Sequence, residues 1–174
     1  MHDNKVISFE HVWLILLKDL GLDAAEVLRR SGLAPNLFSN QNPRLTIEQY
    51  FRFWRVLNEE ADDELLPLTV VQSISPEAFY PPIFAALCSP NLTVASQRMA
   101  EHKRLVAPMT STVEDRPDGL FIGCRWNDAS VHSPSPLAAL ELLFMVQIAR
   151  LGTRELICPT LVESPYSIAP ASAY

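Results

Sequence analysis

Apolar residues recur at helical spacing along the chain as far as Val106, then switch to alternation. Phe9, Val12, Trp13, Leu16, Leu17 and Leu20 form an i, i+3, i+4, i+7 stripe, which predicts a helix capped by Ser8 and ended at Gly21. Asp23-Ala24-Ala25-Glu26 has capping-box spacing and opens a short helix through Arg30, stopped at Gly32. Thr46-Ile47-Glu48-Gln49 repeats that signature ahead of a helix that buries Ile47, Tyr50, Phe51, Trp54 and Leu57. Ser75-Pro76-Glu77 reads as a further cap with proline in the first turn. Pro81 and Pro82 divide the segment after this cap into two short pieces, the second over Ile83 to Cys88. A longer helix is predicted from Leu92 to about Val106.

Past that point the period becomes two. Met109 to Glu114 and Leu120 to Trp126 read as strands, joined by the turn signal Arg116-Pro117-Asp118-Gly119, with Leu120, Ile122, Cys124 and Trp126 on one face. Leu137 to Leu151 is an almost wholly apolar helix and is expected to be the central buried element. Leu156 to Glu163 reads as a third strand, with Pro159 placing it at an edge or a start. The expected fold is α+β: a helical N-terminal half packed on a small, mainly antiparallel sheet, with a buried apolar helix near the C-terminal end. Ser164 to Tyr174 is weakly patterned and leaves a sheet edge facing nothing. Residues 1–174 are therefore expected to be one domain that is itself incomplete, the N-terminal piece of a longer protein.

Composition narrows the function. The 174 residues are 48% hydrophobic and 20% charged, which suits a folded chain able to bury roughly 70% of its unfolded surface. Fourteen Lys and Arg against twenty Asp and Glu leave a net charge of −6, the wrong sign for a self-sufficient nucleic-acid-binding domain. The five glycines never fall at the spacing of a phosphate-cradling loop, so nucleotide-binding folds built on such loops are excluded. Cys88, Cys124 and Cys158 are far apart, with no CxxC and no HxxxH, so no zinc site is indicated and they read as small core residues in a reducing cytosol. The first apolar segment carries Glu10, His11, Lys18 and Asp19, too charged for a signal peptide and too short to span a bilayer. A soluble, cytoplasmic protein without membrane or cofactor is expected.

Six stretches, in order, carry a family resemblance. They are Leu17-Lys18-Asp19-Leu20-Gly21-Leu22-Asp23, Val27-Leu28-Arg29-Arg30-Ser31-Gly32-Leu33, Arg44-Leu45-Thr46-Ile47-Glu48-Gln49-Tyr50, Ser75-Pro76-Glu77-Ala78-Phe79, Cys88-Ser89-Pro90-Asn91-Leu92-Thr93 and Arg104-Leu105-Val106-Ala107-Pro108. Together they resemble the N-terminal effector domain of AraC/XylS-type transcription regulators, in the arabinose-binding-like subfamily, from about Leu17 to Val162. The resemblance implies a regulator whose N-terminal part binds a small effector, dimerises, or both, while a C-terminal pair of helix-turn-helix motifs reads the promoter. This chain ends before those motifs. The wider family answers to sugars, amino acids, aromatic acids and fatty acids, so the resemblance names no effector and transfers no contact residues.

The residues themselves offer candidates for an effector pocket. His102 falls in the apolar stripe of Leu92, Ala95, Met99 and Val106. It can aim a polar group into a pocket, or be a core histidine satisfied by a carbonyl or hydroxyl. Glu141 lies among Leu137, Leu140, Phe144, Ile148 and Leu151; it can bind a cationic effector, pair with His102 or Arg104, or turn to solvent. Phe79, Tyr80, Phe84, Trp126 and Phe144 can line an apolar pocket or simply be core. Gln147 and Arg150 share another face and read as an exposed or interface edge. Arg29-Arg30 and His102-Lys103-Arg104 read as solvated helix faces. No GxSxG is present, and no cysteine adjoins a base, so catalysis is not expected. The leading expectation is an effector-sensing and dimerisation domain with an unknown small-molecule ligand, a homodimeric state, and DNA contact only through the missing C-terminal motifs. Its rivals are a ligand-independent dimerisation module, and a small haem-type sensor or enzyme using His102.

Overall fold

The computed structural model describes residues 6–73 and 81–166. In chain order the elements are β1 (Val6–Ser8), α1 (Val12–Asp19), α2 (Ala24–Arg30), a 3-10 turn (Leu37–Ser39), β2 (Arg44–Thr46), α3 (Ile47–Ala61), α4 (Leu66–Gln72), α5 (Pro81–Leu87), α6 (Leu92–Val106), β3 (Met109–Arg116), β4 (Gly119–Trp126) and α7 (Ser135–Thr153). Seven α-helices and two small antiparallel sheets among the described residues make the fold α+β.

Local chemistry sets most of the helix ends. Asp23 accepts hydrogen bonds from the amides of Ala25 and Glu26 and starts α2. At α3 the box is reciprocal: Thr46 Oγ1 accepts from the Gln49 amide while Gln49 Oε1 accepts from the Thr46 amide. Gly32, at φ +70°, ends the α2 segment in a conformation that side chains rarely adopt. Asn91 Oδ1 accepts from the Val94 amide and opens α6.

Several expectations are corrected. Ser8 caps no helix; it ends β1, which pairs with β2 in the register Ile7↔Leu45, and α1 starts only at Val12. Phe9 therefore leaves the helical stripe, its amide donating to the Pro43 carbonyl, and Val12 is exposed. Helix α4 escapes a reading of the sequence, because Pro67 looks like a breaker; it sits in the first turn, and Asp63 accepts from the Leu65 amide and the Thr69 hydroxyl. The cap at Ser75-Pro76-Glu77 lies outside the described residues. Leu156 to Glu163 forms no strand: Pro159 lacks an amide donor, Arg150 Nε takes the Ile157 carbonyl at 2.9 Å, and Leu156, Leu161 and Val162 are exposed. Cys88 and Cys158 are exposed rather than core, and only Cys124 is half-buried. Finally, α7 is not a central buried element. Leu137, Ala139, Ile148 and Ala149 are buried, but residues 140–147 are only half-buried.

The expected hairpin is present, paired in the register Met109↔Trp126 to Arg116↔Gly119, with both strands running on into the turn segment. Its inward face pairs Ser111 with Cys124 and Val113 with Ile122, and Trp126 meets Phe51 edge to face at 5.0 Å. Helix α6 packs on β3, on α5 and on α7, while α7 lies mainly on α4. By length and composition α7 could cross a membrane; here it rests on α3, α4, α5 and α6.

The buried apolar residues fall into two clusters. The larger joins Ile7, Phe9, Leu17, Leu28, Leu45, Phe53, Trp54, Leu57, Leu66 and Leu137 with their neighbours. The smaller holds Ile83, Ala86, Ala95, Met99 and Ile148 between α5, α6 and α7. Because α3 anchors the larger cluster, its cap is a good probe of stability. Thr46→Ala is expected to lower unfolding free energy by about 1 kcal/mol, read as a reduced urea midpoint at unchanged slope.

Candidate functional site

A cleft of about 870 Å³ lies between the two apolar clusters. That size is within the roughly 300–1,000 Å³ usual for small-molecule sites. Its walls come from most of the chain. Ile7, Phe9 and Trp13 contribute from the β1–α1 segment, and Tyr50 and Val70 from α3 and α4. Met99, His102, Lys103 and Val106 project from α6, and Leu140, Glu141 and Phe144 from α7. Met109 and Trp126, paired at the base of the hairpin, complete it.

Helical geometry explains why these side chains converge. Met99, His102 and Val106 stand at i, i+3 and i+7 on α6, and Leu140, Glu141 and Phe144 at i, i+1 and i+4 on α7. Lys103 Nζ donates to Glu141 Oε2 at 2.5 Å and lies 5.6 Å from the Phe144 ring centroid. Both partners are partly buried, with side chains 21% and 12% exposed. The carboxylate set among apolar α7 residues is thus compensated by a cation from α6, as burial of a charge requires.

His102 is half-buried in the same wall. Burial lowers its pKa from the ordinary 6.5; the Glu10 carboxylate opposes this and the neighbouring Lys103 charge adds to it. The imidazole is accordingly held toward its neutral form, able to donate and accept. Burial also pushes the Cys124 thiol up, so it is a poor nucleophile. Among the described residues no group of His, Cys, Asp and Glu could hold a metal ion.

Of the residues singled out by sequence, His102, Glu141, Trp126 and Phe144 line the cleft. Phe84 does not; it is 49% exposed on α5. Phe79 and Tyr80 lie outside the described residues. Glu141 pairs with Lys103 rather than with His102 or Arg104, because Arg104 is exposed while Lys103 turns toward α7. In the sequence Lys103 looks like part of a solvated basic run. Its position four residues after Met99 is the available signal, masked by the charges on either side. Glu10, Trp13 and Tyr50 are further wall residues that sequence reasoning misses, since only the β1–β2 pairing carries the β1–α1 segment to the cleft.

The profile of the family described as the N-terminal arabinose-binding domain of AraC transcription regulators matches residues 21–174. No curated protein matches the chain. The chain belongs to that family of regulatory, effector-binding domains.

Two measurements probe the wall. Lys103→Met leaves Glu141 buried without its cation and is expected to cost about 3 kcal/mol, whereas Lys103→Met/Glu141→Leu recovers most of that loss in urea denaturation. His102 has a lowered folded pKa, so the folded state binds fewer protons than the unfolded chain. Its contribution to stability is full above the ordinary value of 6.5 and is lost as pH falls below it. Melting curves from pH 8 to pH 5 are expected to fall less steeply for His102→Gln than for the wild type.

Proposed function

We propose that residues 1–174 are the sensor domain of a bacterial AraC/XylS-type transcription regulator, binding a small molecule in the cleft between the two apolar clusters. The observation that carries this reading is the cleft itself: largely apolar walls, with the Lys103–Glu141 pair and His102 set among them. The effector bridges α6 and α7 to the aromatic floor around Phe9 and Trp13. It stabilises one arrangement of these layers, and a DNA-binding domain outside this chain reads that arrangement. DNA contact is assigned to that domain, as the acidic balance of this chain supports.

The half-buried apolar middle of α7 favours a second role. Leu142, Leu143 and Val146 belong to neither apolar cluster, and they supply a surface for a homodimer. Sensing and dimerisation would then share one helix, with Glu141 and Phe144 on the cleft side.

A thermal-shift screen of this chain against amino acids, sugars, aromatic acids and fatty acids tests the sensor reading. A true effector at 100 times its dissociation constant stabilises the fold by about 2.7 kcal/mol. In the full-length regulator, His102→Ala and Glu141→Gln are expected to weaken the response more than they lower the melting temperature. A flat screen together with a dimer in sedimentation would instead assign the chain to ligand-independent dimerisation.

A further inference from the structure

Helix α7 does not end freely. Arg154, at φ +59°, turns the chain back, its amide donating to the Arg150 carbonyl at 2.8 Å. The same Arg150 donates from Nε to the Ile157 carbonyl at 2.9 Å, in a partly buried bond. At the far end of the segment the amide of Ser133, two positions ahead of α7, donates to the Tyr166 hydroxyl oxygen at 3.1 Å, again partly buried. Ser164 Oγ accepts from the Tyr166 amide and sets the local turn. Residues 157–166 thus leave the C-terminal end of α7 and return to its N-terminal end. From Ile157 to Tyr166 the chain reaches about 30 Å when extended. That is enough to run back along the helix from Arg150 to Ser135, which rises about 22 Å.

The returning segment joins neither sheet, and Leu161 and Val162 between its two pins are exposed. Both pins belong to α7 or to the residues leading into it, so the helix sets where the segment lies. The same helix carries Leu140, Glu141 and Phe144 in the cleft wall, whereas neither Arg150 nor Tyr166 lines the cleft. A helix is stiff along its axis, since each turn is bonded to the next. A displacement imposed at Leu140 or Phe144 therefore arrives at both ends, and a segment pinned at both ends follows tilt as well as translation.

Resting on the sensor reading, we infer that residues 157–166 are the output strap of the domain. An effector that moves α7 moves the strap with it, and the strap presents that movement to the DNA-binding domain outside this chain. Arg150 is the keystone, because its carbonyl closes the reversal at Arg154 and its side chain holds the returning strand.

Nitroxide labels at Cys158 and at Asn58→Cys, both exposed, read the strap against α3 of the larger cluster; Cys88→Ser and Cys124→Ser remove the other thiols. Pulsed electron paramagnetic resonance is expected to give one narrow distance. Arg150→Met/Tyr166→Phe, which removes both pins, should broaden it while the melting curve still shows a folded chain. Phe144→Trp and Leu140→Trp add bulk on the cleft side of α7 and should displace the narrow peak by about 1–2 Å, the scale of helix shifts in switching proteins. Phe144→Trp exchanges one aromatic ring for another, which keeps the measurement in hand if Leu140→Trp does not fold. A broad distribution in the doubly labelled parent, or a narrow one that survives loss of both pins, overturns the strap. A peak that stays in place in the folded cleft variants overturns its coupling to the cleft. No ligand enters these measurements, so they decide the strap separately from the compound screen that decides the sensor reading.

Discussion

The packing of Phe9 is the contact on which the N-terminal layer depends. Its ring is fully buried, stacked on Phe38 at 5.3 Å and on Trp13 at 5.8 Å, and set edge-on to Phe53 at 4.9 Å. Trp13 in turn meets Trp54 at 5.5 Å and nearly perpendicular. Such ring pairs add about 0.5–1.5 kcal/mol each beyond the area they bury. One aromatic nest therefore joins β1, α1, the 3-10 turn and α3, elements that sequence separation would otherwise leave independent. Phe9, Trp13 and Tyr50 also form part of the cleft wall, so the rings that hold the layer together brace the cleft against collapse.

The other wall is held differently. Helices α5, α6 and α7 share a cluster of only five buried residues, and much of their remaining contact is polar or half-exposed. The Lys103–Glu141 bond ties α6 to α7 where apolar contact is thin. A closely packed aromatic floor thus faces a wall held by a small apolar cluster and one charged contact, and the two sides of the site differ in how firmly they are held. Ligand-dependent geometry requires that asymmetry, because a change of state needs one element that responds and one against which the response is measured.

The parts of the fold that depend on local chemistry are legible in the sequence. The caps at Asp23 and Thr46, the extent of α6 and the hairpin with its inward Ile122, Cys124 and Trp126 all come from side-chain spacing and turn residues, which act within a few positions. The failures are non-local. The strands β1 and β2 have three residues each and pair across nearly forty positions, so neither carries a periodic signal. A strand over Leu156 to Glu163 satisfies propensity but finds no ladder partner. The near-continuous apolarity of α7 suggests full burial, because composition cannot tell a core helix from one that covers a cleft on one side and is half open on another. At the site, His102, Glu141, Trp126 and Phe144 stand out as polar or aromatic positions on apolar stripes, whereas Lys103 is hidden by its basic neighbours.

The division of the apolar interior also bears on how the molecule opens. Helix α7 is tied to the larger cluster through Leu137, and α6 rests on β3, so α5, whose buried residues Ile83 and Ala86 belong to the smaller cluster, should be the first of the three to exchange its amide hydrogens, below the free energy of global unfolding. A molecule seated in the cleft would supply the apolar surface that the smaller cluster lacks. On the proposed sensor reading, occupancy and the local folding of α5 are then a single equilibrium, in which ordering counts as much as shape.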